Sequence, residues 1–254
     1  MYSEEVVIGG LPVMIIKKAN LKNWYLRIFP PDGEVSVSVP LNTETESVRL
    51  FVLRKMPEII KTREKMLGQP RQSKREYISG ESYYIWGKPY RLQVVYQGKR
   101  SRIEKTPTKL VLTVPEGTTE AQKEKIITEW YRKEIKRIMG GVIALCEKRT
   151  GIQAAEYRVK NMHTRWGTCK IPERRIWINL QLAKKPVECL EYVITHELVH
   201  LLEENHTHRF QALVEEFYPQ WREAEKILAT LPLDYMEKGA INKVNDEADT
   251  ERYL

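Results

Sequence analysis

The sequence predicts an α+β fold. The N-terminal half pairs strands with long helices, and the C-terminal half is mainly helical around a small β-sheet. Three observations carry this. The runs Val35-Ser36-Val37-Ser38-Val39-Pro40 and Leu110-Val111-Leu112-Thr113-Val114-Pro115 repeat with period two, the pattern of a half-buried strand. After each closing Pro come Thr and Glu residues and then a helical stretch, residues 46–65 and 120–137. Near the C-terminus, residues 192–202 carry Val193, Ile194, Leu198, Val199, Leu201 and Leu202 with no Gly or Pro to break a helix.

Taken in order, the first half looks duplicated. Gly10-Leu11-Pro12-Val13-Met14-Ile15-Ile16 is similar to Gly87-Lys88-Pro89-Tyr90-Arg91-Leu92-Gln93, an offset of 77 (87 − 10), and Val35 maps to Leu110 at 75 (110 − 35). Each copy reads strand, strand, turn, helix. In the first, residues 24–29 and 34–39 flank Pro30-Pro31-Asp32-Gly33, a hairpin turn. In the second, residues 90–96 and 109–114 flank a basic loop. The alternative is two hairpin–helix units that share only generic composition. Pro57 is expected to kink or split the first helix. Residues 68–82, with Gln69-Pro70-Arg71-Gln72-Ser73, read as a linker.

Residues 120–150 continue as helix, with an interruption expected at Gly140-Gly141. A short strand at 157–160, the run Thr164-Arg165-Trp166-Gly167-Thr168-Cys169 and a β-rich stretch at 175–180 precede Pro186-Val187-Glu188, a helix start. Two further helices follow, at 210–217 and from Pro219-Gln220-Trp221 to about Leu228. The expected division is a duplicated β-rich/helix region at 1–118, a second domain at 119–230 and a charged, fraying tail at 231–254.

The chemistry concentrates in the last long helix. His196-Glu197-Leu198-Val199-His200 places two imidazoles four residues apart, on one helix face. At that spacing they can hold one Zn²⁺ at roughly 2.0–2.1 Å per nitrogen. Glu197 lies about 100° around the helix, beside the metal, where it can take a proton from water as general base. A catalytic zinc site wants a third protein ligand and an open position. His206, six residues after His200, is the choice. Glu203 stands where metzincins have their turning Gly, so Asn205 is the turn residue, the helix stops near Glu204, and Thr207 caps a helix from His208. His208 is a rival ligand. Glu215, Glu216 and Glu223 are others, although they read better as the solvated face of the next helix.

The run 164–169 reads first as a tight turn with Trp166 in the core, and second as a motif near the metal. Cys169 as an extra ligand would close the open position. His163 reads as a loop residue. No second oxyanion donor stands out among His208, Arg209 and Tyr218. The net charge of +8 permits a nucleic-acid partner without demanding one, and its excess lies at 54–75, 99–109 and 132–137, each with acids interspersed. No apolar run is long enough to span a bilayer, and the start MYSEEVVIGG lacks a basic n-region. Cys146, Cys169 and Cys189 form no CxxC pair. Free thiols and a cytosolic location are expected.

The order of these motifs resembles the YgjP-like family of zinc metallopeptidases, relatives of the SprT-like and small gluzincin-type peptidases. The matching residues are Arg165, Trp166, Gly167, Thr168 and Cys169, then Asn179 and Leu182, then His196, Glu197 and His200, then Asn205, His206 and Phe210. Thr168 stands in place of the usual Ser and keeps the hydroxyl. The resemblance is strongest over residues 157–228. It implies a zincin-like metal-site domain, a peptide or protein substrate and His206 as third ligand. A zincin peptide lies along an edge strand beside the metal helix, which makes 175–180 the candidate, with Ile176, Trp177, Ile178 and Asn179 as substrate contacts by β-augmentation. Two rival readings are a nucleic-acid-associated protease recruited by the basic N-terminal half, and a non-catalytic module with structural zinc. Glu197 speaks against the second.

Overall fold

A computed structural model describes residues 2–29, 32–68, 75–162 and 165–230, with only the backbone of Lys65. The turn prolines Pro30 and Pro31, the linker residues 69–74, His163 and Thr164, and the tail 231–254 lie outside the described residues. The chain forms two compact units divided between Gly68 and Arg75.

The first unit contains β1 (Tyr2–Ile8), β2 (Leu11–Lys18), β3 (Tyr25–Phe29), β4 (Glu34–Pro40) and α1 (Thr45–Leu67). Its sheet has the order β1-β2-β4-β3. β2 and β4 are parallel and the outer pairs antiparallel. Alternation along β4 sends Val35, Val37 and Val39 into a core with Val48, Val52 and Ile59 of α1. α1 runs unbroken through Pro57. The buried stripe Val48, Val52, Ile59 holds the helix in place across the missing N–H donor.

The second unit opens with β5 (Ser82–Ile85), β6 (Lys88–Tyr96), β7 (Arg102–Lys105) and β8 (Lys109–Val114), in the order β5-β6-β8-β7. Here too the second and fourth strands are parallel and the outer pairs antiparallel. The basic loop expected between two hairpin strands therefore contains β7, and the strands it joins are not a hairpin: β6 and β8 are parallel, which requires a crossover. α2 (Glu120–Thr150) follows, opened by a Thr119/Gln122 capping box. It is not interrupted at Gly140-Gly141. Both glycines face open space, and Ile135, Met139, Val142 and Cys146 bury a continuous stripe across them. That burial exceeds the helix penalty of about 1 kcal/mol per Gly.

β9 (Glu156–Lys160), β10 (Gly167–Lys170) and β11 (Arg175–Asn179) form a three-stranded sheet in the order β10-β11-β9. A 3₁₀ turn (Leu180–Lys184), α3 (Val187–Val199), α4 (His208–Phe217) and α5 (Trp221–Thr230) complete the unit. One core joins Leu110, Leu112 and Val114 of β8 to Ile127, Tyr131 and Ile135 of α2, Ile176 and Ile178 of β11, and Leu190, Ile194 and Leu198 of α3. The β5–β8 sheet thus belongs with the helices that follow it, and no boundary falls at 118/119, because its apolar face is part of their core. The β5–β6 turn, Trp86-Gly87, has positive φ at both residues (49° and 78°), as a type I′ hairpin needs. Its tip meets the start of α3. Trp86 N–H donates to the Ala183 carbonyl at 2.9 Å, and a Cβ on Gly87 would lie 2.8 Å from Pro186 Cγ. No helix among the described residues is long and apolar enough to cross a membrane. The three cysteines are buried and form no disulfide.

Candidate metal centre

α3 carries His196 and Glu197 in its last turn, and His200 is its C-cap. The helix ends at Val199, ahead of the expected Glu204, and irregular turns continue to Glu203, whose N–H donates to the Val199 carbonyl at 3.0 Å. A tight turn follows, with Thr207 N–H donating to Asn205 C=O at 2.7 Å. The Thr207 hydroxyl then caps α4 by accepting from Phe210 N–H at 3.2 Å. The result carries His206 back beside the α3 histidines.

The donor atoms of His196, His200 and His206 all lie within 4.8 Å of one another. The Nε2 atoms of His196 and His206 are 3.0 Å apart. Two ligands of one tetrahedral ion at roughly 2.0–2.1 Å lie about 3.3 Å apart, so the donor set suits a single small cation. His200 Nδ1 donates to the Glu203 carbonyl at 3.3 Å, which leaves the Nε2 lone pair free for a metal. Phe210 packs against all three rings, with centroids at 4.9, 4.6 and 4.7 Å. Burial, then the neighbouring His200 and His206, pushes the His196 pKa down to about 3. Burial and His206 lower that of His200, and burial lowers that of His206. All three imidazoles are thereby kept neutral, the form that ligates.

Among the described residues this is the sole His/Cys/Asp/Glu group with that geometry. His208 is exposed at the start of α4. Glu215 accepts from Trp221 Nε1 at 2.6 Å and from Arg222 at 2.9 Å. Glu216 and Glu223 line a separate cleft of about 660 Å³ with Arg149 and Tyr218. Cys169 is buried in the β10 core face and outside the group. Tyr218 O–H donates to the Glu188 carbonyl at 3.2 Å, and exposed Arg209 faces Glu203 at 4.0 Å.

The strand expected to take up a peptide is not an edge strand. β11 is the central strand of its sheet, paired with β10 on one side and β9 on the other, so its backbone cannot take up a peptide. Ile176 and Ile178 are fully buried core residues. Trp177 has the Arg158 guanidinium over its ring at 5.3 Å. Asn179 is buried and its amide binds the backbone of Met162, Arg165 and Gln181. The sheet edge beside α3 is β10. There Gly167 comes so close to Glu197 that an added Cβ would stand 2.6 Å from its Oε1. Gly167 therefore supports the second reading of this run, a motif near the metal helix, while Trp166 packs against the core as the first reading expected. The signal was present in the sequence: a glycine inside a strand marks close approach.

The basic runs are partly neutralised within the fold. Arg132 pairs with Glu129 and donates to the Val159 carbonyl at 2.8 Å, and Arg137 pairs with Glu134 at 2.9 Å.

A family model described as YgjP-like, metallopeptidase domain, matches residues 22–231. No curated protein matches the chain. Among solved structures, the crystal structure of the metallopeptidase zymogen of Pyrococcus abyssi abylysin is similar at 20% identity and a TM-score of 0.33, covering 35% of this chain and 90% of that one.

Proposed function

The chain belongs to the YgjP-like metallopeptidase family, and from that premise we propose that it is a zinc peptidase whose ion is held by His196, His200 and His206 and whose general base is Glu197. The observation that carries this reading is the convergence of three neutral imidazole donors within 4.8 Å, with a buried carboxylate on the same helix. Three nitrogen donors suit Zn²⁺ better than the harder divalent ions.

A Zn²⁺ bound there supplies Lewis acidity, which acidifies water and polarises a peptide carbonyl. The chain's own residues do the rest. Glu197 accepts the proton of the attacking water and returns it to the leaving amine. The Glu203 carbonyl orients His200, and Phe210 limits the freedom of all three rings. An extended peptide adds to the open edge of β10, its scissile bond beside Glu197. Three buried cysteines that form no disulfide support a reducing, cytosolic setting. The matching strand order of the two four-stranded sheets supports an internal duplication.

The test is metal analysis joined to a peptide-library digest of wild type and Glu197→Gln. Wild type is expected to hold about one zinc and cleave peptides. The variant keeps its zinc and loses roughly 10²–10⁴-fold in rate. Equal, non-zero activity per bound zinc in both proteins removes Glu197 as base, and absence of zinc from both removes the site.

A further inference from the structure

Gly167 lacks the usual backbone reason for a glycine. Its φ is outside the left-handed region, and it sits in β10 paired with Ile178. Gly167 opens the strand, where a residue with a side chain would pack better and lose less conformational entropy. What excludes a side chain is Glu197. A Cβ on Gly167 would lie 2.6 Å from Glu197 Oε1 and 2.8 Å from its Cγ, with Val193 Cγ1 as the third neighbour at 2.8 Å. Glu197 itself is only 5% exposed.

The strand cannot easily back away. Asn179 N–H donates to the Trp166 carbonyl at 2.9 Å. Its Nδ2 donates to the carbonyls of Arg165 at 2.6 Å and Met162 at 2.9 Å, while Oδ1 accepts from Met162 N–H at 3.2 Å. One buried amide therefore fastens the segment leading into Gly167 to the central strand of the sheet.

We propose that Gly167 is a positioning residue for Glu197: its bare backbone is the wall against which the carboxylate rests, and Asn179 holds that wall in place. The proposal rests on the reading of Glu197 as general base and adds what sets its position. A carboxylate displaced by a methyl group still leaves the three histidines free to bind metal, but it meets the attacking water in the wrong place. A misplacement of about 1 Å costs on the order of 10²-fold in rate.

Two readouts on the full chain test it. The first needs no activity. Gly167→Ala is melted alone and combined with Glu197→Ala. Gly167→Ala is expected to lower the Tm in the parent, and by less than half as much beside Glu197→Ala, where two of the three close contacts are gone. Equal lowering in both backgrounds overturns the proposal. If Gly167→Ala does not fold alone, the same Gly167/Glu197 cycle is run in a Val193→Ala background, which relieves the third contact. The second readout is kinetic. Gly167→Ala is expected to keep its zinc and its KM while kcat falls about 10²-fold. Glu197→Gln keeps the shape and has already lost the base, so adding Gly167→Ala to it is expected to cost little more in kcat. A wild-type kcat in Gly167→Ala, or losses that multiply in the pair, overturns the proposal. A wild type without peptidase activity defeats the proposed function alone, and the melting cycle still decides what Gly167 does.

Discussion

A histidine ligates metal only as the neutral imidazole, and the three histidines here are held neutral by burial and by one another. The consequence for the metal-free protein has a definite sign. An unfolded histidine titrates near about 6.5, and His196 in the folded chain titrates at about 3. Between those values the unfolded chain binds protons that the folded chain refuses, so stability falls as pH falls from about 6.5 toward 3. Urea midpoints of metal-free protein are expected to be lower at pH 5 than at pH 7, with a smaller difference in His196→Leu. Loss of His206 has a different outcome, because the residue is exposed and carries less of the fold. His206→Ala is expected to fold normally and bind zinc at least 10-fold more weakly, as a zinc titration against a chelator would show. Asn179→Ala acts on the fold instead. It takes one donor each from the carbonyls of Met162 and Arg165 and the acceptor from Met162 N–H, while Gln181 Nε2 still donates to the Met162 carbonyl, at a cost of about 2 kcal/mol in chemical denaturation.

Whole elements show why a strand's place in its sheet matters more than its composition. β11 is the most apolar strand near the site, and that follows from its being central, with Ile176 and Ile178 in the core. β10 has Gly167, Thr168 and Lys170, an unremarkable run on an open edge. Hydrogen exchange on Glu197→Gln with a peptide substrate is expected to show new protection in β10 and no change in β11, whose backbone is already paired on both sides. Protection appearing only elsewhere would displace the substrate strand from β10. In α2, Gly140 sits mid-helix with open space where a Cβ would go. Gly140→Ala is expected to raise stability by about 1 kcal/mol without touching the metal site, as measured by the shift in denaturation midpoint.

The described residues form two hydrophobic cores, one under the first sheet and one shared by β5–β8, α2, β11 and α3. A cavity in one core therefore does not empty the other. Ile59→Ala removes a fully buried side chain of the first core and is expected to cost that unit 2–5 kcal/mol, roughly, while zinc binding by the second unit stays within twofold of wild type. Ile135→Ala, fully buried in the second core, is expected to lower the transition that carries the metal site. Following zinc release and circular dichroism along one melt distinguishes the two variants.

Local spacing was legible in the sequence wherever the controlling contacts are close along the chain. His196 and His200 share a face because a helix repeats every 3.6 residues, and the Thr207 cap follows from what that side chain does to its own backbone. The α+β class followed in the same way, from periodicity and punctuation. What depended on distant partners was decided only by the tertiary structure. Which strand is central cannot be read from 175–180 itself, because both of its neighbours come from other parts of the chain, Glu156–Lys160 and Gly167–Lys170. The continuity of α2 through two glycines depends on a core assembled from β8, β11 and α3. The role of Gly167 depends on a carboxylate thirty residues downstream, brought against it by the packing of a helix on a sheet edge. An absent side chain leaves no mark in composition or periodicity; only the neighbour that occupies its space shows why it is absent.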